Sequence, residues 1–290
     1  MERRDFLKSL ALIPLTGTIM KLNALNKIVE PFASTDTMPV LFVGHGNPMN
    51  AIEENEFTLG WKDAAKALPV PNAILCISAH WETQGTFVTA MDKPQTIHDF
   101  GGFPQALFDV QYPAAGDAAL AKETKSNIKK AEVGLNYDWG LDHGCWVPAV
   151  RMFPNANIPV LQLSLDYTKP PQWHYELAQE LAFLRKRGVL IMGSGNMVHN
   201  LGMIDWTGTK QFDWAIDANE TIKEKINKHD YTSLTNYKSL SSSVNMAIPT
   251  PEHYLPLLYT LALQGENENI SFFNDKTIMG SISMTSLKIG

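Results

Sequence analysis

Four short apolar runs punctuate the chain: PVLFV at 39–43, AILCIS at 73–78, IPVLQLS at 158–164 and GVLIMG at 188–193. Runs this brief and this continuously apolar suit parallel β-strands covered on both faces. Between and after them, apolar positions recur at helical spacing and predict helices at about 60–68, 115–131, 171–187, 212–228 and 252–264. In 171–187, Pro171 suits a first turn, and Trp173, Leu177, Leu181 and Leu184 make one apolar stripe. Gly188 ends that helix before the next strand. Alternating strands and helices with short connections predict a single-domain α/β sandwich with a mostly parallel central sheet flanked by helices. Two stretches, 85–113 and 134–157, are rich in Gly and Pro without a clear period and read as long loops, which in a compact domain tend to carry function. No linker divides 38–290.

The same pattern places histidines. The runs at 39–43, 73–78 and 188–193 lead into GHGNP (His45), SAHWET (His80) and GSGNMVHN (His199), and a fourth motif, TPEHYLP, carries His253. Ligands of open α/β sheets gather outside the strands' carboxyl ends, so side chains far apart in sequence can meet at one sheet edge. Neutral imidazole is the commonest metal ligand, and the chain reads as a metalloenzyme. The glycines around His45 permit close approach and unusual backbone angles. His80 suits either a ligand or a satisfied core imidazole. The Gly-Ser-Gly-Asn run before His199 lacks the spacing of a dinucleotide-binding loop. His253 lies near a helix start, where Thr250 would cap and Pro251 would occupy the first turn. His98 and His143 fall in the two long loops beside aromatic residues, where they could face a substrate. His174, with Trp173 and Leu177 turned inward, reads as solvent-facing, and His229 as a surface residue.

Composition narrows the partners. With 290 residues, 44% hydrophobic, and a formal net charge of −6, the chain can bury a large core and offers no basic face for nucleic acid. The two cysteines do not make a disulfide scaffold: Cys76 sits inside a strand run and Cys145 follows His143. The first residues, MERRDFLKSLALIPLTGTIM, place Arg3-Arg4 and Phe6-Leu7-Lys8 before a modest apolar stretch. That is the architecture of a twin-arginine-type export signal, assigned to 1–34 with its linker. It predicts a periplasmic or cell-envelope protein exported already folded, with no stable membrane span after processing.

The motifs GHGNP, SAHW, IHDFGGFP, LDHG, GSGNMVHNL and TPEHYLPL, in order over roughly 38–290, closely resemble those of the class III extradiol ring-cleaving dioxygenases, in the 4,5-DOPA dioxygenase branch. The resemblance implies a metal held by His45, His80 and His253, with His199 as acid/base or fourth ligand and His143 as a second catalytic histidine. It implies substrate contacts from His98, Phe103 and Trp146, with Phe100 as a further apolar wall. Its substrates would be a catechol, DOPA-like or simpler, and O2. Non-haem Fe(II) would be the working ion. A site made of imidazoles suits Zn²⁺ equally well, so zinc is an expected occupant. Two competing readings stand beside this one: a zinc-dependent hydrolase using Glu82 or Glu252 as base, and a non-catalytic envelope metal-binding protein.

Overall fold

The computed structural model describes residues 37–290, and the export segment expected at 1–34 lies outside the described residues. Six strands form the central sheet: β1 (Val40–Gly44), β2 (Ala73–Ser78), β3 (Val160–Gln162), β4 (Val189–Gly195), β5 (Ile270–Phe273) and β6 (Ser286–Ile289), in the order β3-β2-β4-β1-β6-β5. The first four are mutually parallel. β6 then pairs antiparallel with β1, and β5 antiparallel with β6, closing one edge.

Every residue of β1, β2 and β4 is buried, which accounts for their unbroken apolar character. Alternation distributes them between two cores. Val40, Phe42, Leu75, Ile77, Val189 and Ile191 point to one face, and Leu41, Val43, Ile74, Cys76, Leu190 and Met192 to the other. The second face is covered by α1 (Glu56–Lys66) through Trp61 and by α2 (His143–Met152) through Cys145, Trp146 and Ala149. The first is covered by α3 (Pro171–Gln179), α4 (Asp213–Asn227) and α5 (Leu255–Leu261), through Leu177, Ile222 and Leu258 among others. The expected α/β sandwich is the observed one.

Several local expectations are corrected. The stretch 134–157 is not one loop: it holds part of a strand, Val133–Asn136, and the whole of α2, whose first residue is His143. Asp142 makes that helix possible by capping it, its side chain accepting from the Cys145 amide at 3.1 Å. The stretch 85–113 likewise holds a strand, Thr86–Thr89, and a short helix, Gln105–Phe108. The helix expected over 171–187 breaks into α3 and Ala182–Arg185, where Glu180 and Leu181 turn to tighter bonds with Leu177 and Ala178. The buried stripe of α3 is His174, Leu177 and Ala178, one residue away from the Trp173 stripe, so His174 is buried rather than solvent-facing. The last helix starts at Leu255 with Pro256 in its first turn, so Thr250 and Pro251 are not its cap and first residue. Cys76 and Cys145 are both free and buried.

Candidate metal centre

Parallel pairing brings the carboxyl ends of β1, β4 and β2 level: Gly44 lies opposite Gly195, and Ser78 opposite Ser194. Beyond the ladder, the His45 amide donates to the Gly195 carbonyl at 3.1 Å, and the Ala79 amide to the Ser194 carbonyl at 3.0 Å. His45 and His80 therefore leave the two strands flanking β4 at the same height. His253 joins them because the Asn196 amide takes its carbonyl at 2.8 Å, docking the turn before α5 onto the end of β4. Only glycine fits at 195, since a Cβ there would stand 2.1 Å from the His253 carbonyl oxygen. Gly46, at φ +59°, gives the turn after His45 the left-handed residue it needs.

Hydrogen bonds fix which nitrogen His45, His143 and His253 present. Ser194 Oγ donates to the Gly144 carbonyl, so toward His45 it can only accept, and His45 Nδ1 at 3.1 Å carries the proton. His253 Nδ1 donates to Glu252 Oε1 at 3.1 Å, and His143 Nδ1 to Asp99 Oδ2 at 3.0 Å, while Asp99 Oδ1 accepts the His143 amide at 2.9 Å. The same Asp99 oxygen lies 3.7 Å from His80 Nδ1. His45 Nε2 is thereby left with its lone pair turned to His80 Nε2 at 3.1 Å. Two imidazole nitrogens so placed hold either a shared proton or a cation between them. Two imidazole nitrogens on one tetrahedral metal ion at about 2.1 Å stand about 3.4 Å apart, so the pair fits a first-row divalent metal. The carboxylates and hydroxyl behind the rings are the partners that orient metal-binding imidazoles.

Burial keeps His45, His80, His199 and His253 neutral. His45 is held well below the usual imidazole range, first by burial and then by the neighbouring His80, and His253 by burial and then His199. Burial, followed by His143, pushes His80 down to about 3, and burial pushes His199 down to about 4. Unprotonated rings at neutral pH are what metal binding requires. Burial works against the Asp99 carboxylate, yet the hydrogen bond from His143 still holds it below the usual range.

The five histidines 45, 80, 143, 199 and 253 line one cavity of ≈ 250 Å³, with Phe103 and an apolar rim. Their ligand atoms fall into two groups, His45–His80–His143 and His199–Glu252–His253, each within 4.8 Å. His199 and His253 stack face to face, centroids 3.5 Å apart and planes 8° apart. Other expected residues stand elsewhere. His98 donates from Nε2 to the Val110 carbonyl at 3.0 Å and does not line the cavity. Trp146 is fully buried, its Nε1 donating to the Ile97 carbonyl at 2.8 Å. Phe100 stands between them and the site, 5.6 Å from the His143 ring and 5.3 Å from Phe103.

The sequence matches the family described as the catalytic LigB subunit of aromatic ring-opening dioxygenase over residues 37–283. The chain belongs to this family. Among its relatives is a 4,5-DOPA dioxygenase extradiol of Escherichia coli K12, 45% identical over 89% of this chain and 96% of that protein. Another is a 4,5-DOPA dioxygenase extradiol of Beta vulgaris, 34% identical over 85% of this chain and 94% of that protein. A crystal structure of an uncharacterized protein from Escherichia coli K12 superposes with a TM-score of 0.76 at 41% identity, covering 87% of this chain and all of that one. The chain is thus a LigB-family extradiol dioxygenase with a histidine cluster able to hold a non-haem metal.

Sequence reasoning passed over Asp99 and Ser194, which set the tautomers of this LigB-family site. Asp99 adjoins His98 in IHDFGGFP, and Ser194 lies inside the GSGN turn, so a polar residue within each histidine motif was the available signal. The rim residues Leu201, Ile204 and Trp206 carried none, because they sit in a short connection with neither strand nor helix period.

Proposed function

We propose that the cavity binds a catechol and O2, that His45 and His80 hold the metal through Nε2 with His253 completing the set, and that Fe(II) is the working ion. The observation supporting this is the convergence of the His45 and His80 Nε2 atoms at 3.1 Å, with His45 Nδ1 bonded to Ser194 and the Asp99 carboxylate 3.7 Å from His80 Nδ1. When bound, Fe(II) supplies Lewis acidity toward the diol and redox capacity toward O2. The donor set also suits Zn²⁺, the expected occupant when the protein is purified without added iron.

The chain's own groups then manage protons and shape. With Nδ1–H committed to Asp99, His143 offers Nε2 to a diol hydroxyl and can take its proton. His199, kept unprotonated by burial, takes and returns the second proton. Phe103, Ile204 and Ile282 flank the ring and keep water away. The paired arginines at 3 and 4 support export as a folded protein, so the reaction takes place in the periplasm. Changing both to Lys should retain the protein in the cytoplasm with activity intact.

The decisive experiment loads the protein with Fe(II) under anaerobic conditions, then adds a catechol and air. Expected are O2 uptake and a yellow ring-opened semialdehyde. Stoichiometric iron with no O2 uptake on any catechol would overturn the proposal.

A further inference from the structure

The cavity has two chemically different ends. One is the histidine cluster at the ends of β1, β2 and β4. The other is apolar: Leu201, Ile204, Trp206, Ile278, Met279 and Ile282. This apolar end is one continuous wall, because the two segments that supply it are bonded together. The Asn200 amide donates to the Ser281 carbonyl at 3.1 Å, and the Asp205 amide to the Met279 carbonyl at 2.8 Å. Leu201 is 57% exposed and Trp206 78% exposed, although both line the cavity. Large apolar groups facing water at the mouth of a site are what the apolar part of a ligand covers.

Charge is missing from that wall. Among the described residues, no lysine, arginine, aspartate or glutamate lines the cavity. Behind His253 and His143, the Glu252 and Asp99 carboxylates accept their Nδ1 protons. An amino-acid side chain on the catechol would therefore bring a carboxylate that meets no lysine or arginine along the cavity. Removing that carboxylate from water without a partner is costly. The ≈ 250 Å³ available exceeds the roughly 150 Å³ void that accommodates benzene, leaving room for a short substituent beyond the ring.

Resting on the catechol reading above, we infer that the substrate carries an uncharged apolar substituent of a few carbon atoms, selected by the wall of Leu201, Ile204 and Trp206. The substituent lies against Trp206 while the diol faces the histidines. This separates the chain from a dioxygenase that grips a zwitterionic side chain.

The test uses the anaerobically Fe(II)-loaded protein with 4-butylcatechol, DOPA and 3,4-dihydroxyphenylpropionate. Calorimetric binding without O2 is followed by kcat/KM with O2. Butylcatechol should exceed both charged compounds by about tenfold or more in binding and in kcat/KM. Trp206→Ala should narrow that ratio severalfold, and Leu201→Arg should shift it toward the dihydroxyphenylpropionate. Equal or better use of DOPA by the wild type overturns the inference, as does a ratio unmoved by both variants. Should butylcatechol bind preferentially but no catechol be opened, the reaction proposed above fails while the ligand class stands. Binding of none of the three overturns both.

Discussion

Two kinds of buried histidine occupy this molecule. His174, on the face of the sheet covered by α3, is fully buried and has both nitrogens satisfied by protein: Nε2 donates to the Asp166 carbonyl at 3.2 Å, and Nδ1 accepts from the Tyr259 hydroxyl at 2.9 Å. His45, equally enclosed, has Nδ1 tied to Ser194 and Nε2 turned to the same nitrogen of His80. Both are pushed below the ordinary imidazole range by burial first. Neither burial nor pKa therefore separates structure from function here. The distinguishing mark is the second nitrogen: in a structural histidine it has a protein partner, and in a functional one it is left for something the protein does not itself contain.

The largest effect should come from deleting the half-satisfied rings. His45→Ala and His80→Ala are each expected to lose most bound metal and all ring cleavage, read by elemental analysis and O2 uptake. Full metal occupancy in either variant would place that residue outside the metal's ligands and collapse the contrast with His174. Next, His199→Ala should retain more metal than His45→Ala yet lose about two to four orders of magnitude in turnover, as expected for a lost proton carrier. Metal and activity falling together would make it a ligand.

Asp99→Asn probes how the contrast is maintained. An amide at 99 turns a donor toward His143 Nδ1 and moves the ring proton to Nε2, so kcat should fall by about 10–100-fold with KM little changed. A shift of the kcat–pH profile should accompany it, which a purely structural loss would not produce.

The smallest effect tests the satisfied ring. His174→Phe leaves the Tyr259 hydroxyl and the Asp166 carbonyl without their partner and should cost about 1–3 kcal/mol at pH 7.5. The wild-type ring has its pKa pushed down to about 4 by burial, against about 6.5 when unfolded. As pH falls through 6.5 the unfolded chain takes a proton that the folded one refuses, so stability is lost down to about pH 4, by up to roughly 3 kcal/mol. The variant has no such loss. Urea midpoints at pH 7.5 and 4.5 should therefore converge between the two proteins, and a constant gap would show that His174 is not held neutral.

Much of the frame was legible without coordinates. The β2 run at 73–78 matches Ala73–Ser78, and β1 and β4 lie within two residues of expectation, because strands buried on both faces leave an unmistakable apolar signature. Helix faces were less legible. Trp173 and His174 lie at i−4 and i−3 from Leu177, so periodicity allowed either to be the buried one, and only packing against Tyr259 decided. The 134–157 stretch hid α2 because Gly144 and Pro148 weaken its helical pattern, while the Asp142 cap and burial against the sheet hold it together.

Local sequence by itself determined the alternating strands and helices, their burial on both faces, and the histidines at the ends of three strands, since each follows from apolar periodicity and turn chemistry. Strand order was not local. Placing β4 between β1 and β2 brings His45 and His80 together, and docking the His253 carbonyl on Asn196 adds the third ring. The proton positions, set by Ser194, Asp99 and Glu252, and the uncharged wall of Leu201, Ile204 and Trp206 likewise exist only in the folded chain. They depend on contacts between residues whose separation in sequence carries no signal of their meeting.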